Sequence, residues 1–414
     1  MTAGRPQVPE RPGAVGPGRS DAPLGDSRKR RPAPRPRLLP LAGTIALGVV
    51  LALGGPAAGC HRSLAVDPDA ETVPTPPTIG GVALETVVAR LEQVIPAAME
   101  RAKVPGLAVA LIAGGEVVWI KGFGVRSLQT REPVTPQTVF RGASLSKNLV
   151  AYAALKMVET GALELDRPLA DYVPEPYLPG SRIQEITLRM VLSHTSGFSA
   201  LSADRGLVVY RPGTVFAYSN DAFRYLQWAM EHVSGKPLAE YMEENLFSPL
   251  GLASTSFVWT ADYEDRVARG HNDGSEVPPY RPSQANAAYG VYTTAPDFAR
   301  FITEIIGAGE GDAARLSRAT VEEMLRPQVT VVEGSLSWGL GWGLEHGETG
   351  RSFWQWGWKD GYRNFVLADP DRGLGVVILT NGDEGLRICE EIIVTAIGGE
   401  HPAFSDYLNR WIGP

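Results

Sequence analysis

Cysteine is nearly absent. Cys60 and Cys389 are the only two in 414 residues, so the chain is no disulfide-stapled scaffold. Cys389 falls in the apolar stripe Ile388, Cys389, Ile392, Ile393, Ala396, Ile397, where a buried structural thiol is expected. Histidine is scarce as well. The six, His61, His194, His232, His271, His346 and His401, show no ligand spacing, and no His-Glu-x-x-His occurs, so neither a metal nor another cofactor is expected. Internal repeats are missing. The long apolar run Leu38 to Leu53 is broken by Pro40, Gly43 and Gly48 and falls short of the roughly 20 residues that cross a bilayer.

The body of the chain also lacks positive charge. Nine of the 39 basic and three of the 46 acidic side chains lie within residues 1–59, leaving 30 against 43 and a formal net charge of −13. Such a surface repels polyanions and excludes nucleic acid as a partner. The leader itself is basic, ending in Arg28-Lys29-Arg30-Arg31 with Arg35 and Arg37 before the apolar run, and small residues follow up to Ala57-Ala58-Gly59-Cys60. That order reads as a secretory signal. Cys60 is placed as in a bacterial lipoprotein box, although Ala57 stands where such boxes usually carry Leu. The protein is therefore expected to be exported, periplasmic or at the cell surface, with membrane attachment through a lipidated Cys60.

What remains is globular in composition, 44% apolar and 21% charged. Residues 1–60 read as the leader, 61–81 as a Pro-rich linker with Pro68, Pro74, Pro76 and Pro77, 82–400 as the folded domain and 401–414 as a C-terminal tail. The domain opens with a helix from Leu84 to Arg101 and a hairpin, Leu107 to Ile112 and Val117 to Ile120, turned by Gly114-Gly115. The middle is mainly helical. Strand-like runs return at Phe353 to Trp358, Tyr362 to Ala368 and Gly375 to Thr380, before a closing helix from about Glu384 to Ile397. The fold class implied is α/β of the α+β kind. One antiparallel sheet is built from both termini (about 82–141 and 345–400) and flanked by the first and last helices, beside a mostly helical lobe (about 142–344). A cleft between lobes is the natural place for a site.

Ser144-Leu145-Ser146-Lys147 places a hydroxyl nucleophile and an amine base three residues apart, on one face of a helix that Leu149, Val150, Ala153, Ala154, Met157 and Val158 continue. At the helix start, free N–H groups and the dipole stabilise developing negative charge. A partly desolvated Lys147 can take the serine proton. Tyr218-Ser219-Asn220 follows the Pro212-Gly213 turn and enters a second helical pattern; alone it reads as a capping loop, but Tyr218 can shuttle a proton and Asn220 can hold Lys147 or a substrate amide. In Phe353-Trp354-Gln355-Trp356-Gly357-Trp358, period two puts the three indoles on one face to pack and Gln355 and Gly357 on the other to border the cleft. There Gly357 admits a substrate backbone, and the N–H of Trp358 can join that of Ser144 in an oxyanion hole. Gly142-Ala143-Ser144-Leu145-Ser146 fails the Gly-x-Ser-x-Gly elbow of α/β-hydrolases at its last residue. His194 is expected to tie a loop together with Ser193 and Thr195 rather than to act in catalysis.

Taken in order, Ser-x-x-Lys, Tyr-Ser-Asn and a strand motif ending in Gly resemble the serine β-lactamase and penicillin-binding protein superfamily, in its class C β-lactamase-like branch. Phe140-Arg141-Gly142-Ala143, Ile186 to Gly197, Pro249-Leu250-Gly251-Leu252 and Trp338-Gly339-Leu340-Gly341-Trp342-Gly343 are similar too, and the resemblance runs from about Leu84 to Gly398. It implies Ser144 as the acylated nucleophile, Lys147 and Tyr218 as the acid/base pair and Asn220 as a polar support, with Gln355, Gly357 and Trp358 at the third motif. The family usually carries Lys-Thr-Gly or His-x-Gly there. A neutral Gln355 cannot attract a carboxylate as a cation does, which points to an esterase or amidase acting on small neutral substrates. β-Lactamase or D-alanyl-D-alanine carboxypeptidase action is the alternative, since Arg363 offers a substitute cation. A non-catalytic binding protein of the same fold is the other, which the intact Ser144, Lys147, Tyr218 and Asn220 disfavour.

Overall fold

The structure is a computed structural model. It describes residues 78–412 apart from 176, 179–180, 200–206, 308–314 and 348–349, so the leader, Cys60 and most of the linker lie outside the described residues. The ordered chain starts earlier than expected. Thr78–Ile79 and Val82–Ala83 pair as a short hairpin around Gly80 and Gly81, both at positive φ, and Ile79 is buried, so the end of the segment read as linker already belongs to the fold.

An eight-stranded antiparallel sheet organises the rest. Its strands are β1 (Gly106–Ala113), β2 (Glu116–Gly124), β5 (Val329–Val332), β6 (Leu336–Trp338), β7 (Gly343–Gly347), β8 (Gly350–Lys359), β9 (Tyr362–Asp369) and β10 (Leu374–Thr380). A separate short pair, β3 (Phe140–Ala143) and β4 (Val291–Thr293), lies outside it. The order across the sheet is β2-β1-β10-β9-β8-β7-β6-β5. The early and late parts of the chain therefore meet in one sheet, where β1, second from one edge, pairs β10 with Val109 opposite Ile378.

The sheet resumes at Val329 rather than near 345. Strands of four and three residues at β5 and β6 are too short to show a period, and the glycines of Gly339 to Gly343 obscure them further.

Both faces of the sheet are covered, and alternation along its strands sorts the two cores. Leu107, Val109, Trp354, Phe365, Val376 and Ile378 pack against α1 (Leu84–Arg101) and the last long helix, α5 (Cys389–Ile397). Cys389 is fully buried there, its Sγ 3.2 Å from the Gly385 carbonyl. Ala108, Ala110, Phe353, Val366 and Leu379 face the helical lobe, led by α4 (Ala295–Ile306). In that lobe α2 (Ser146–Glu159) is buried on nearly every side, and α3 (Asn220–Ser234) is capped by Ser219 and stopped by Gly235 in the left-handed region. The expected C-terminal tail is instead helical from Ala403 to Ile412, with Phe404 and Leu408 buried in the outer core. His401 Nδ1 lies 2.7 Å from Glu345 Oε1, both side chains buried, and fixes this segment to β7.

Candidate active site

Three chain segments separated by more than 200 residues in all converge at the junction of sheet and helices. β3 ends at Ala143, forced to φ +51°, and the chain turns through Ser144 and Leu145 before α2 begins. Ser144 thus sits two residues ahead of the helix, where the Lys147 N–H donates to its carbonyl at 3.0 Å. Ser146 pins the turn from below, donating to Ala143 O at 2.6 Å and accepting from Val291 N at 3.0 Å. Ser144 is 7% exposed, so the nucleophile is nearly enclosed yet reachable.

Lys147 is completely buried. Its Nζ lies 3.1 Å from Ser144 Oγ, 2.8 Å from Asn220 Oδ1 and 2.7 Å from Ala288 O. Burial first, and the positive Arg224 second, hold its pKa well below the usual 10.5. Tyr218 comes from the loop that Ser219 caps into α3. Its ring lies 4.8 Å from Lys147 Nζ and packs on Trp356. Burial pushes its pKa upward, countered by Ser144 and Gln355, yet its hydroxyl completes no hydrogen bond. The same holds for Gln355 Nε2, which is buried without a partner, while Gln355 Oε1 accepts from the Trp356 N–H at 3.1 Å. Two buried polar groups thus face the centre with capacity to spare, as in a site that takes a ligand or water.

The wall of the site is β8. Its register with β7 ends at Gly343 opposite Trp354, so among the described residues 355–359 pair only with β9. Gln355 and Gly357 share the inner face as expected, but the close approach that Gly357 permits is the chain's own: a Cβ there would meet Gly142 O at 2.3 Å and Asn364 Nδ2 at 2.8 Å. Of the three indoles, Trp354 is buried and Trp356 half-buried, whereas Trp358 is 40% exposed. Arg363 does not replace the missing cation. It lies opposite Trp358 on β9, its guanidinium 4.2 Å from that ring, and donates to Lys359 O and Tyr362 O on the outer face.

Sequence reasoning missed three supports. Asn364 donates to Arg141 O at 3.0 Å and clamps β9 to β3. Arg224 lies close enough to Lys147 to bias its charge. Ala288 contributes only a carbonyl, which no side-chain motif announces. Ser193 and Thr195 share a hydroxyl contact of 2.9 Å, as their spacing suggested. Two open cavities of about 410 and 790 Å³ lie elsewhere and contain neither Ser144, Lys147 nor Tyr218. Among the described residues, no helix is long and apolar enough to cross a membrane.

The family model named Beta-lactamase matches residues 91–391, more than half of the chain and all of this centre. The chain belongs to the beta-lactamase family of serine hydrolases. PbpX of Bacillus subtilis is 30% identical over a stretch that makes up 52% of this chain and 58% of that protein. Esterase EstB of Burkholderia gladioli is 27% identical, covering 74% of this chain and 93% of its own. Among solved structures, the D-alanine carboxypeptidase AmpC of Burkholderia cenocepacia superposes with a TM-score of 0.65 at 26% identity, over 75% of this chain and 99% of that one. This beta-lactamase family member therefore has relatives named for different activities, an esterase and a D-alanine carboxypeptidase among them, and only its own site can choose among them.

Proposed function

We propose that this chain is an exported serine hydrolase working through an acyl-enzyme on Ser144, of esterase or amidase type, on small substrates without a carboxylate beside the scissile bond. The observation that carries the reading is the hydrogen-bond count at Lys147. A neutral amine has two N–H groups and one lone pair. Ala288 O and Asn220 Oδ1 can only accept, so in the neutral amine that burial favours they take both N–H groups and leave the lone pair for the Ser144 hydroxyl at 3.1 Å. In that state the lysine can serve as the base.

Ser144 Oγ attacks the substrate carbonyl as its proton passes to Lys147. The N–H groups of Ser144 and Trp358 hold the oxyanion, and Tyr218 gives its phenol proton to the departing alcohol or amine as the ester or amide bond breaks, while Lys147 passes the serine proton on to Tyr218. Water, losing its proton to the same pair, then releases the acid and restores Ser144. The substrate preference is supported by the neutral Gln355 at the third motif and by Arg363 being engaged by the Lys359 and Tyr362 carbonyls. EstB bears the name esterase, which agrees. Export rests on the leader and a lipidated Cys60.

The purified protein, assayed on short p-nitrophenyl esters, nitrocefin and D-amino acid peptides, tests the substrate reading. Ester turnover is expected to exceed the others and to fall at least ~10³-fold in Ser144→Ala. Nitrocefin hydrolysis matching the best ester contradicts the reading of Gln355.

A further inference from the structure

His194 is fully buried beside the site, and the reaction as written does not use it. Its backbone sits in the left-handed region at φ +56°, a conformation that lets one residue turn both its carbonyl and its ring toward the same loop. That loop delivers Tyr218. The His194 carbonyl accepts from Ala217 N–H at 2.8 Å, and its Nδ1 accepts from Ser219 N–H at 3.2 Å. The residues on either side of Tyr218 are thus both hung from His194. The ring itself lies 4.2 Å from the Tyr218 ring at 34°, and Trp356 covers the other side at 4.7 Å and 31°. The Tyr218 ring is thus held from behind, between His194 and Trp356, while its hydroxyl is turned toward Ser144 and Gln355.

We propose that His194 is a positioning residue for the proton relay, holding the Tyr218 phenol at Ser144 through its Nδ1 acceptor and its carbonyl. With Nδ1 accepting, the ring proton resides on Nε2, which is buried and unpartnered. The imidazole is kept neutral by burial first, and by the repulsion it would meet from Lys147 on α2 whenever that amine carries its proton. A protonated ring would lose the bond to Ser219. This inference rests on the reading of Ser144 as nucleophile.

Two variants separate positioning from mere packing. His194→Phe keeps a ring and removes the acceptor; His194→Asn keeps an acceptor near Nδ1, tolerates a positive φ and removes the ring. On an activated ester, His194→Phe is expected to lower kcat about 10²-fold at nearly constant KM, the scale of a catalytic group displaced by about 1 Å. The limb of the pH–rate profile set by the Lys147 and Tyr218 pair is expected to move, and His194→Asn to remain within about tenfold of the parent. A folded His194→Phe with unchanged kcat and pH profile overturns the proposal. Should His194→Phe not fold, His194→Asn decides: a folded protein slowed 10²-fold or more overturns it, because the retained acceptor has then failed to hold Tyr218. Labelling of parental Ser144 by a fluorophosphonate is the control. No label there defeats the Ser144 reading itself, whereas labelled parent with an unaffected variant defeats only the role of His194.

Discussion

At Lys147 one residue carries opposing demands. Burial removes its charge, so in the window below the usual 10.5 the unfolded chain binds a proton that the folded chain does not, and stability rises with pH there. The same loss of charge makes it a base, so activity is expected to rise with pH as the amine loses its proton, well below the ordinary lysine range. Arg224 lowers that value further, and its positive charge is the part of the cause that can be removed. In Arg224→Gln the Lys147 amine holds its proton more tightly, so the acid limb of kcat/KM is expected to shift to higher pH. A profile that stays in place or moves to lower pH contradicts the assignment of Lys147 as the base. The motif residues were legible in the sequence because their chemistry is in their side chains: Ser144, Lys147, Tyr218 and Asn220 all reach one centre. Ala288 was not, because a carbonyl is common to every residue, and Arg363 was misplaced because strand pairing, unseen in sequence, fixes its face.

Among the elements, β8 and β3 decide how tightly the site closes. Gly357 lets the two approach, and the atom nearest an added Cβ is the Gly142 carbonyl, a backbone group that cannot swing aside. Gly357→Ala is expected to destabilise the protein by about 1–3 kcal/mol, the usual range for overpacking, and to abolish turnover by moving Trp358 N–H away from Ser144. A fully active, equally stable variant on denaturant titration and ester assay would refute that geometry. The long elements could be read from period alone: α1 matches the expected Leu84 to Arg101, and the β1–β2 hairpin and strands β8 to β10 fall where their apolar alternation put them. The short strands β5, β6 and β7 could not, because pairing across the sheet holds them, nor could the C-terminal helical segment, which is held by tertiary burial of Phe404 and Leu408.

At the scale of the described fold, the C-terminal segment closes over the sheet. The segment after Gly399 buries Phe404 against Phe365, ring centroids 4.5 Å apart, and places Tyr407 5.5 Å from Trp356, which in turn touches Tyr218. Phe404→Ala is expected to cost about 3–5 kcal/mol, read as a lowered denaturation midpoint, and an unchanged midpoint would mean that this segment is not part of the core. The family relation accounts for the frame, while the proposed selectivity rests on the departure at Gln355. All of it depends on Ser144 being the nucleophile. Incubating the purified protein with a fluorophosphonate and mapping the adduct by mass spectrometry tests that most directly. The expected result is one adduct, on Ser144, absent from Ser144→Ala; an adduct on another residue, or one that persists in Ser144→Ala, would contradict it.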